Sequence, residues 1–272
     1  MPELPEVETT RRGIAPFAKG QRIEQIIVRQ EKLRWPVDKD INKKLSGLMI
    51  DDISRRGKYL LLETNEGSLM IHLGMSGSLR IVEQFQPDKP DKHDHLDICL
   101  SNGKIIRFND PRRFGSILFN QQGEQHTLLS KLGVEPLTAE FSGVYLQDKA
   151  KGRKTAIKAF IMNNHIVVGV GNIYAQESLF LSGIHPKRSA GNISAKRMAL
   201  LVATIKQVLA DAIKAGGSSL KDFTGADGKP GYFQQTLNVY GRHQESCYKC
   251  ETNLKQLTIG QRTTVYCPKC QK

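Results

Sequence analysis

The sequence predicts an α+β fold: a mostly β first half opened by a helix, then a helical half and a cysteine-bearing tail. Three observations carry this reading. Short runs rich in β-branched residues, separated by Asn and Gly turns, occupy the first half. Amphipathic stretches at helical spacing follow. Two C-x-x-C pairs then close the chain.

The elements follow in order. Residues 6–18, EVETTRRGIAPFA, read as a short helix, with Pro5 in its first turn and Glu6 and Glu8 at its positive end. RIEQIIVRQ reads as a strand. KYLLLETNEGSLMIHLGMSGSLRIV gives two or three strands, with turns at Asn65–Gly67 and around Gly74–Gly77. HLDICLSNGKIIRF is a hairpin turning on Asn102-Gly103. DPRRFG breaks the pattern and SILF resumes it. Regularly spaced short strands suggest a sandwich or flattened barrel, assigned here to a domain of residues 1–133. Residues 134–150 begin with a Pro- and Gly-bearing stretch and read as a linker. Helices are expected at TAIKAFIMNN (155–164), at IYAQESLFLSGI (173–184) with Asn172 as N-cap, and at SAKRMALLVATIKQVLADAIKAGG (194–217). These belong to a helical domain of residues 151–240, which includes a polar, Gly-rich loop at 218–233. Residues 241–272 carry the cysteine cluster.

Composition narrows the function. Forty Lys and Arg oppose 27 Asp and Glu, leaving the 272-residue chain at +13. A polyanion is the natural partner, with nucleic acid foremost. No apolar run approaches the length of a membrane span, so no membrane partner is expected. The acidic N-terminus lacks the apolar core of a signal peptide, which points to the cytoplasm.

Cys247-x2-Cys250 and Cys267-x2-Cys270 offer four thiolates, a shell that suits one structural Zn²⁺ per chain. Four sulfur ligands leave no open position for catalysis. A redox role is the weaker reading, since no thioredoxin-like βαβ pattern surrounds either pair. LKQLTIGQRTTVY between the pairs alternates as a hairpin, with Gly260-Gln261 near its tip and Arg262 held out as a phosphate or groove contact. Cys99, alone in a predicted strand, reads as a small buried hydrophobe. Between the two shorter helices, NNHIVVGVGNIYA brings Gly169 and Gly171 before a helix start. Free N–H groups there suit one DNA phosphate. The G-x-G lacks the preceding parallel sheet of a dinucleotide site.

MPELPEVET, RRGKY, HLGMSG, NDPRRFG, VGVGNIYA, GGSSLKDF and the terminal CPKCQK occur in this order along the whole chain. Together they resemble the bacterial formamidopyrimidine-DNA glycosylase family. Leu4 in PELPE points away from the related endonuclease VIII branch, whose terminus is closer to PEGPE. The resemblance implies a helix-two-turn-helix and a zinc finger in the second half. It implies a glycosylase and AP lyase for oxidised purines, 8-oxoguanine and formamidopyrimidines, acting as a monomer on double-stranded DNA. It implies removal of Met1, Pro2 as nucleophile and Glu3 as general acid/base. Glu6 would orient the lesion site, Lys58 serve β-elimination, and Arg262 serve δ-elimination and phosphate contact. Met75, Arg112 and Phe114 match the residues that fill the gap left by a flipped nucleotide, as base-modifying enzymes require. His93, Arg153, Lys154 and Asn172 match DNA contacts. Ser218, Ser219, Lys221 and Phe223 fall in the matching lesion-recognition loop. Two other readings remain: an endonuclease VIII-type glycosylase for oxidised pyrimidines, and a non-enzymatic zinc-ribbon DNA-binding protein that leaves PELPE unexplained.

Overall fold

The computed structural model describes residues 2–83, 89–124, 126–217 and 237–272. The chain forms two compact units: Met1–Ser130 with the described part of Ala215–Gln234, and Lys131–Lys214 with the described part of Gln235–Lys272.

The first unit is a β-sandwich entered by a helix. α1 (Leu4–Ala18) starts two residues earlier than the sequence suggested. One sheet joins β1 (Ile23–Val28), β6 (Asp94–Leu100), β7 (Lys104–Asn109) and β5 (Ser78–Glu83) in that order, all antiparallel. The other joins β2 (Asp52–Arg56), β3 (Tyr59–Thr64), β4 (Gly67–His72) and β8 (Ser116–Gln121), likewise antiparallel. Two short helices, α2 (Ile41–Leu45) and α3 (Thr127–Ser130), also lie among the described residues of this unit. Val7 and Ile14 of α1 share one core with Leu60, Leu62, Leu69, Ile71, Ile98 and Ile106 from both sheets. Burying each such side chain contributes roughly 1.5–3 kcal/mol before chain entropy is set against it.

The period of two is visible in β6. Leu96, Ile98 and Leu100 enter the core, while Asp97 and Cys99 lie on the opposite face. That face is closed too. Arg107 donates Nε to Asp97 Oδ1 and Nη2 to Asp97 Oδ2, each at 2.8 Å, and Arg29 adds a third contact at 2.6 Å. Burial raises the Asp97 carboxyl pKa, but these arginines outweigh it and hold the group below its usual range. Cys99 is buried as expected, and burial pushes its thiol up, which makes it inert.

The second unit is helical, with α4 (Gly143–Ala150), α5 (Ile157–Ile161), α6 (Asn172–Leu181) and α7 (Ala195–Lys214). Residues 134–150, read as linker, therefore contain a helix. Ser142 caps it by accepting the Tyr145 N–H at 3.1 Å. Gly143 lets α4 pack tightly on α7, because a Cβ there would sit 2.8 Å from Ala199 Cα. α5 is shorter than the predicted 155–164. α7 buries Met198, Leu201, Val202, Ile205, Leu209, Ala212 and Ile213 on one face, as its spacing predicts. A two-stranded hairpin, β9 (Lys255–Ile259) and β10 (Arg262–Tyr266), packs against α6.

Candidate active site and nucleic-acid interface

Pro2 is buried, and Glu3 behind it is only 2% exposed. Local chemistry explains why the helix begins here. Pro5 in the first turn has no N–H to leave unpaired. Glu3 and Glu6 form a capping box, in which the Glu3 N–H donates to Glu6 Oε2 at 2.8 Å. Both carboxylates lie at the positive end of α1. Gly217 packs on Glu6, where a Cβ would stand 3.4 Å from its Cγ.

Glu8, one turn on, binds Arg11 and Arg12 of its own helix and Arg55 of β2. Burial pushes its carboxyl up, yet the three arginines win and bring it down to about 2. Arg11 donates to Ile53 O at 3.1 Å while Glu8 meets Arg55, so α1 and β2 run in opposite senses. The first turn of α1 therefore lies towards the Gly57–Lys58 turn that joins β2 to β3. Gly57 takes φ 57° there, as the first position of a two-residue hairpin turn requires.

Lys58 stands close enough to His72 to affect its ionisation. Burial, then the charges of Lys58 and Arg34, bring the His72 pKa down from 6.5 to about 4. The neutral ring accepts the Gly74 N–H at Nδ1, 3.0 Å away. Between pH 6.5 and about 4 the unfolded chain binds a proton that folded His72 does not, so stability falls as pH drops through that window. Glu8 adds a second loss as pH falls from 4.5 to about 2. The His72 step should be on the order of 3 kcal/mol. Urea unfolding followed through Trp35, the single tryptophan and a first-unit residue, measures it. The midpoint should fall between pH 7 and pH 4, and His72→Gln should flatten that slope. An unchanged wild-type midpoint would contradict the assignment.

Met75 lies in the β4–β5 loop, and Arg112 and Phe114 lie in the β7–β8 loop. One buried carboxylate ties the two loops together. Asp110 Oδ1 accepts the Ser76 hydroxyl at 2.7 Å and the Arg112 N–H at 3.3 Å; Oδ2 accepts the Gly115 N–H at 2.8 Å. The Asp110 carbonyl meets His95 Nε2 at 2.8 Å, and its N–H donates to the His93 carbonyl at 3.0 Å. Gly74 is required at the crossing, since a Cβ would lie 2.4 Å from Gly115 N. The result is an exposed wedge. Phe114 is 43% exposed and the Arg112 guanidinium lies 5.1 Å from its ring centroid. A large exposed aromatic held by a rigid platform is suited to inserting between bases.

The second unit carries exposed basic residues. Arg153 and Lys154 are exposed between α4 and α5. Asn172 is the first residue of α6; its predicted role as N-cap falls to Gly171, whose backbone is extended and which has no side chain to cap with. The Asn172 side chain is engaged elsewhere: its Oδ1 accepts from Lys158 Nζ at 2.6 Å. Arg262 is exposed at the start of β10, beside the Gly260-Gln261 turn, where both residues have positive φ (54° and 60°). A cavity of about 200 Å³ is lined by Lys158, Ala159, Met162, Ile259, Gly260 and Arg262.

The four cysteines converge. Their sulfurs all lie within 4.8 Å of one another, with Cys247–Cys270 at 3.9 Å and Cys250–Cys267 at 3.4 Å. A tetrahedral Zn–S shell with bonds near 2.3 Å requires sulfur separations of about 3.8 Å. Glu251 N–H donates to Cys247 O and Gln271 N–H to Cys267 O, so both C-x-x-C pairs close the same backbone turn. The residues fit a structural Zn²⁺.

Ser218, Ser219, Lys221, Phe223 and the rest of the 218–233 loop lie outside the described residues. Asp110, Lys158 and His72 were not singled out in the sequence. NDPRRFG, TAIKAFIMNN and HLGMSG contain them in that order, but no local period marks any of the three.

A buried acidic helix start, an exposed aromatic beside an arginine and a four-cysteine finger define a nucleic-acid-processing protein. The model of the formamidopyrimidine-DNA glycosylase N-terminal domain matches residues 1–117, and that of the H2TH domain of the same glycosylase matches residues 132–224. Formamidopyrimidine-DNA glycosylase of Aliivibrio fischeri is 55% identical over 271 residues, covering 100% of this chain and 98% of that one. Lactococcus lactis Fpg in complex with abasic-site DNA superposes with a TM-score of 0.91 at 34% identity, covering 99% of each chain. The same protein bound to Fapy-dG DNA gives 0.89 at 34% identity, covering 99% of this chain and 100% of that one. The chain belongs to the formamidopyrimidine-DNA glycosylase family.

Proposed function

We infer that this chain is a DNA glycosylase with AP lyase activity, excising formamidopyrimidine and 8-oxoguanine from duplex DNA and cleaving the resulting abasic site. The buried Pro2–Glu3–Glu6 start of α1, in a chain of this family, carries the reading. The abasic-site and Fapy-dG DNA bound by the Lactococcus lactis relative supports the substrate class. The domain reading follows: catalytic sandwich 1–133, helix-two-turn-helix domain 151–240 and finger 241–272, acting as a monomer in the cytoplasm.

With Met1 removed, Pro2 is a secondary amine that titrates near pH 8, so a useful neutral fraction exists at pH 7. Its lone pair attacks C1′ of the flipped nucleotide as the C1′–base bond breaks, and the base leaves with a proton. Glu3 donates a proton to the ring oxygen O4′. The sugar opens and the Pro2–C1′ bond becomes an iminium, stored as a Schiff base. The iminium acidifies the C2′ hydrogens. Loss of one expels the 3′-phosphate, with Lys58 at the β2–β3 turn serving that elimination. Arg262 serves the second, δ-elimination and contacts phosphate. Water then releases Pro2. Glu6 fixes the backbone of Glu3 through the capping box. Met75, Arg112 and Phe114 fill the vacated stack, with Arg112 donating to the orphaned cytosine. His93, Arg153, Lys154 and Asn172 hold phosphates. Bound zinc supplies no step; it ties the finger's two turns together so that Arg262 is presented.

Borohydride reduction tests the reading. Incubated with a duplex holding 8-oxoguanine opposite cytosine, the chain should yield a covalent adduct that maps to Pro2. An adduct formed only with an oxidised pyrimidine would move the substrate class. No adduct with either, or with an abasic site, would end the enzymatic reading.

A further inference from the structure

We propose that Arg34 and Trp35, at the tip of the β1–α2 loop, form a further DNA contact beside the Phe114 wedge. Arg34 takes a backbone phosphate, and the ring of Trp35 packs on the adjoining nucleotide. The inference rests on the reading above that places Phe114 in a duplex.

The loop is pinned at both ends to segments that carry candidate DNA contacts. At its base, the Arg29 and Gln30 N–H groups donate to the His95 carbonyl at 2.8 and 3.2 Å, close along the chain to His93. At its tip, the Arg34 N–H donates to the Gly115 carbonyl at 3.1 Å, and Gly115 follows Phe114 directly. In between, the chain doubles back. Lys32 and Pro36 form an antiparallel bridge, and the Val37 N–H donates to the Glu31 carbonyl at 2.9 Å. Leu33 and Val37 pack on the sandwich core, which braces the turn from below.

The two tip side chains point to a partner outside the protein. Trp35, the single tryptophan, is 47% exposed and stands apart from the core that Leu33 joins. Leaving so large an aromatic surface in water forgoes the stabilisation its burial would give. Arg34 is exposed and pairs with no acid among the described residues. Its charge faces the edge that carries Lys58. Burial raises the Tyr59 phenol pKa and Arg34 opposes that rise; burial, Lys58 and Arg34 together lower His72. The Tyr59 and His72 rings, on β3 and β4, lie 4.9 Å apart.

Duplex geometry supplies the occupant. A duplex that takes Phe114 between its bases lays a sugar-phosphate backbone along the flank of the wedge. A residue hydrogen-bonded to Gly115 lies on that flank. Phosphates there meet an arginine without an internal acid partner, and the nucleotide beside them meets an exposed ring. A cation for the backbone and an aromatic face for the nucleotide are the two elements that hold a strand without reading its sequence.

Arg34→Gln keeps a polar side chain on an exposed tip and removes the charge. For a duplex carrying a tetrahydrofuran abasic-site analogue, its slope of log affinity against log salt should be shallower than wild type by about one, since one phosphate contact is lost. Trp35→Ala should weaken affinity for the same duplex at least about fivefold and leave that slope unchanged. Trp35→Phe, which keeps a ring, should recover most of the loss. A wild-type slope for Arg34→Gln, or wild-type affinity for Trp35→Ala, would overturn the proposal. Wild-type fluorescence decides the matter even if Trp35→Ala folds poorly: saturating duplex should shield Trp35 from acrylamide quenching, and unchanged quenching overturns the contact. The wild-type borohydride adduct is scored in parallel. An adduct with unchanged slope, affinity and quenching sinks this inference alone. A missing adduct sinks the enzymatic reading, while the slope and the quenching still decide the contact.

Discussion

A chain carrying one extra residue between Met1 and Pro2 should give no borohydride adduct and lose ~10³-fold or more of its cleavage rate on an abasic duplex. The Pro2 nitrogen would then be an amide, whose lone pair is delocalised into the carbonyl and cannot attack C1′. No neighbouring lysine substitutes readily, because an unperturbed ammonium with pKa near 10.4 is almost wholly protonated at pH 7. Fluorescence of Trp35 and zinc content check that the extended chain is folded. Adduct formation at the wild-type rate by that chain would falsify the Pro2 mechanism.

Cys250→Ser should release the zinc and remove at least about 10²-fold of DNA affinity. Structural zinc contributes on the order of 10–16 kcal/mol to the folding of small finger domains, far more than a hairpin of two five-residue strands can replace. The finger's apolar contacts are few: Cys247, Cys267, Leu254 and Val265 share a small core with Phe180 and Val239. Without the metal, β9 and β10 lose the turns that fix their ends, and Arg262 loses its place. Zinc content by atomic absorption and the dissociation constant for an abasic-analogue duplex measure both effects. Unfolding of the sandwich, read through Trp35, should be unchanged. A zinc-free chain that bound DNA normally would contradict the structural role.

The sequence showed elements wherever local chemistry and tertiary packing agree. β6 and β7 were legible because Leu96, Ile98, Ile106 and Phe108 supply the core-facing repeat and Asn102-Gly103 the turn. β2 was not, because DISRR buries only Ile53; its arginines are held by partners such as Glu8, which lies on another element. α4 was hidden inside an apparent linker, although Ser142 and Gly143 mark its start. Asn172 was misread as a cap because its type fits that role, and only the distant Lys158 shows where its oxygen goes. The candidate residues sat in spelled-out motifs, but contacts such as Ser76 to Asp110 and Lys158 to Asn172 span 34 and 14 residues, which no local pattern records.

The Asp97–Arg107 pair has a consequence at high ionic strength. Salt screens charges that water reaches, over a distance that shrinks to about 3 Å at 1 M. Asp97 and Arg107 are each 1% exposed and in contact at 2.8 Å, so dissolved ions barely reach them. The outward lysines and arginines of a chain at +13 are fully open to screening. One variable therefore separates two populations of charge. Concentrated salt strips a polyanion from the surface while the sandwich keeps its shape, and the chain lets go of a strand without loosening itself.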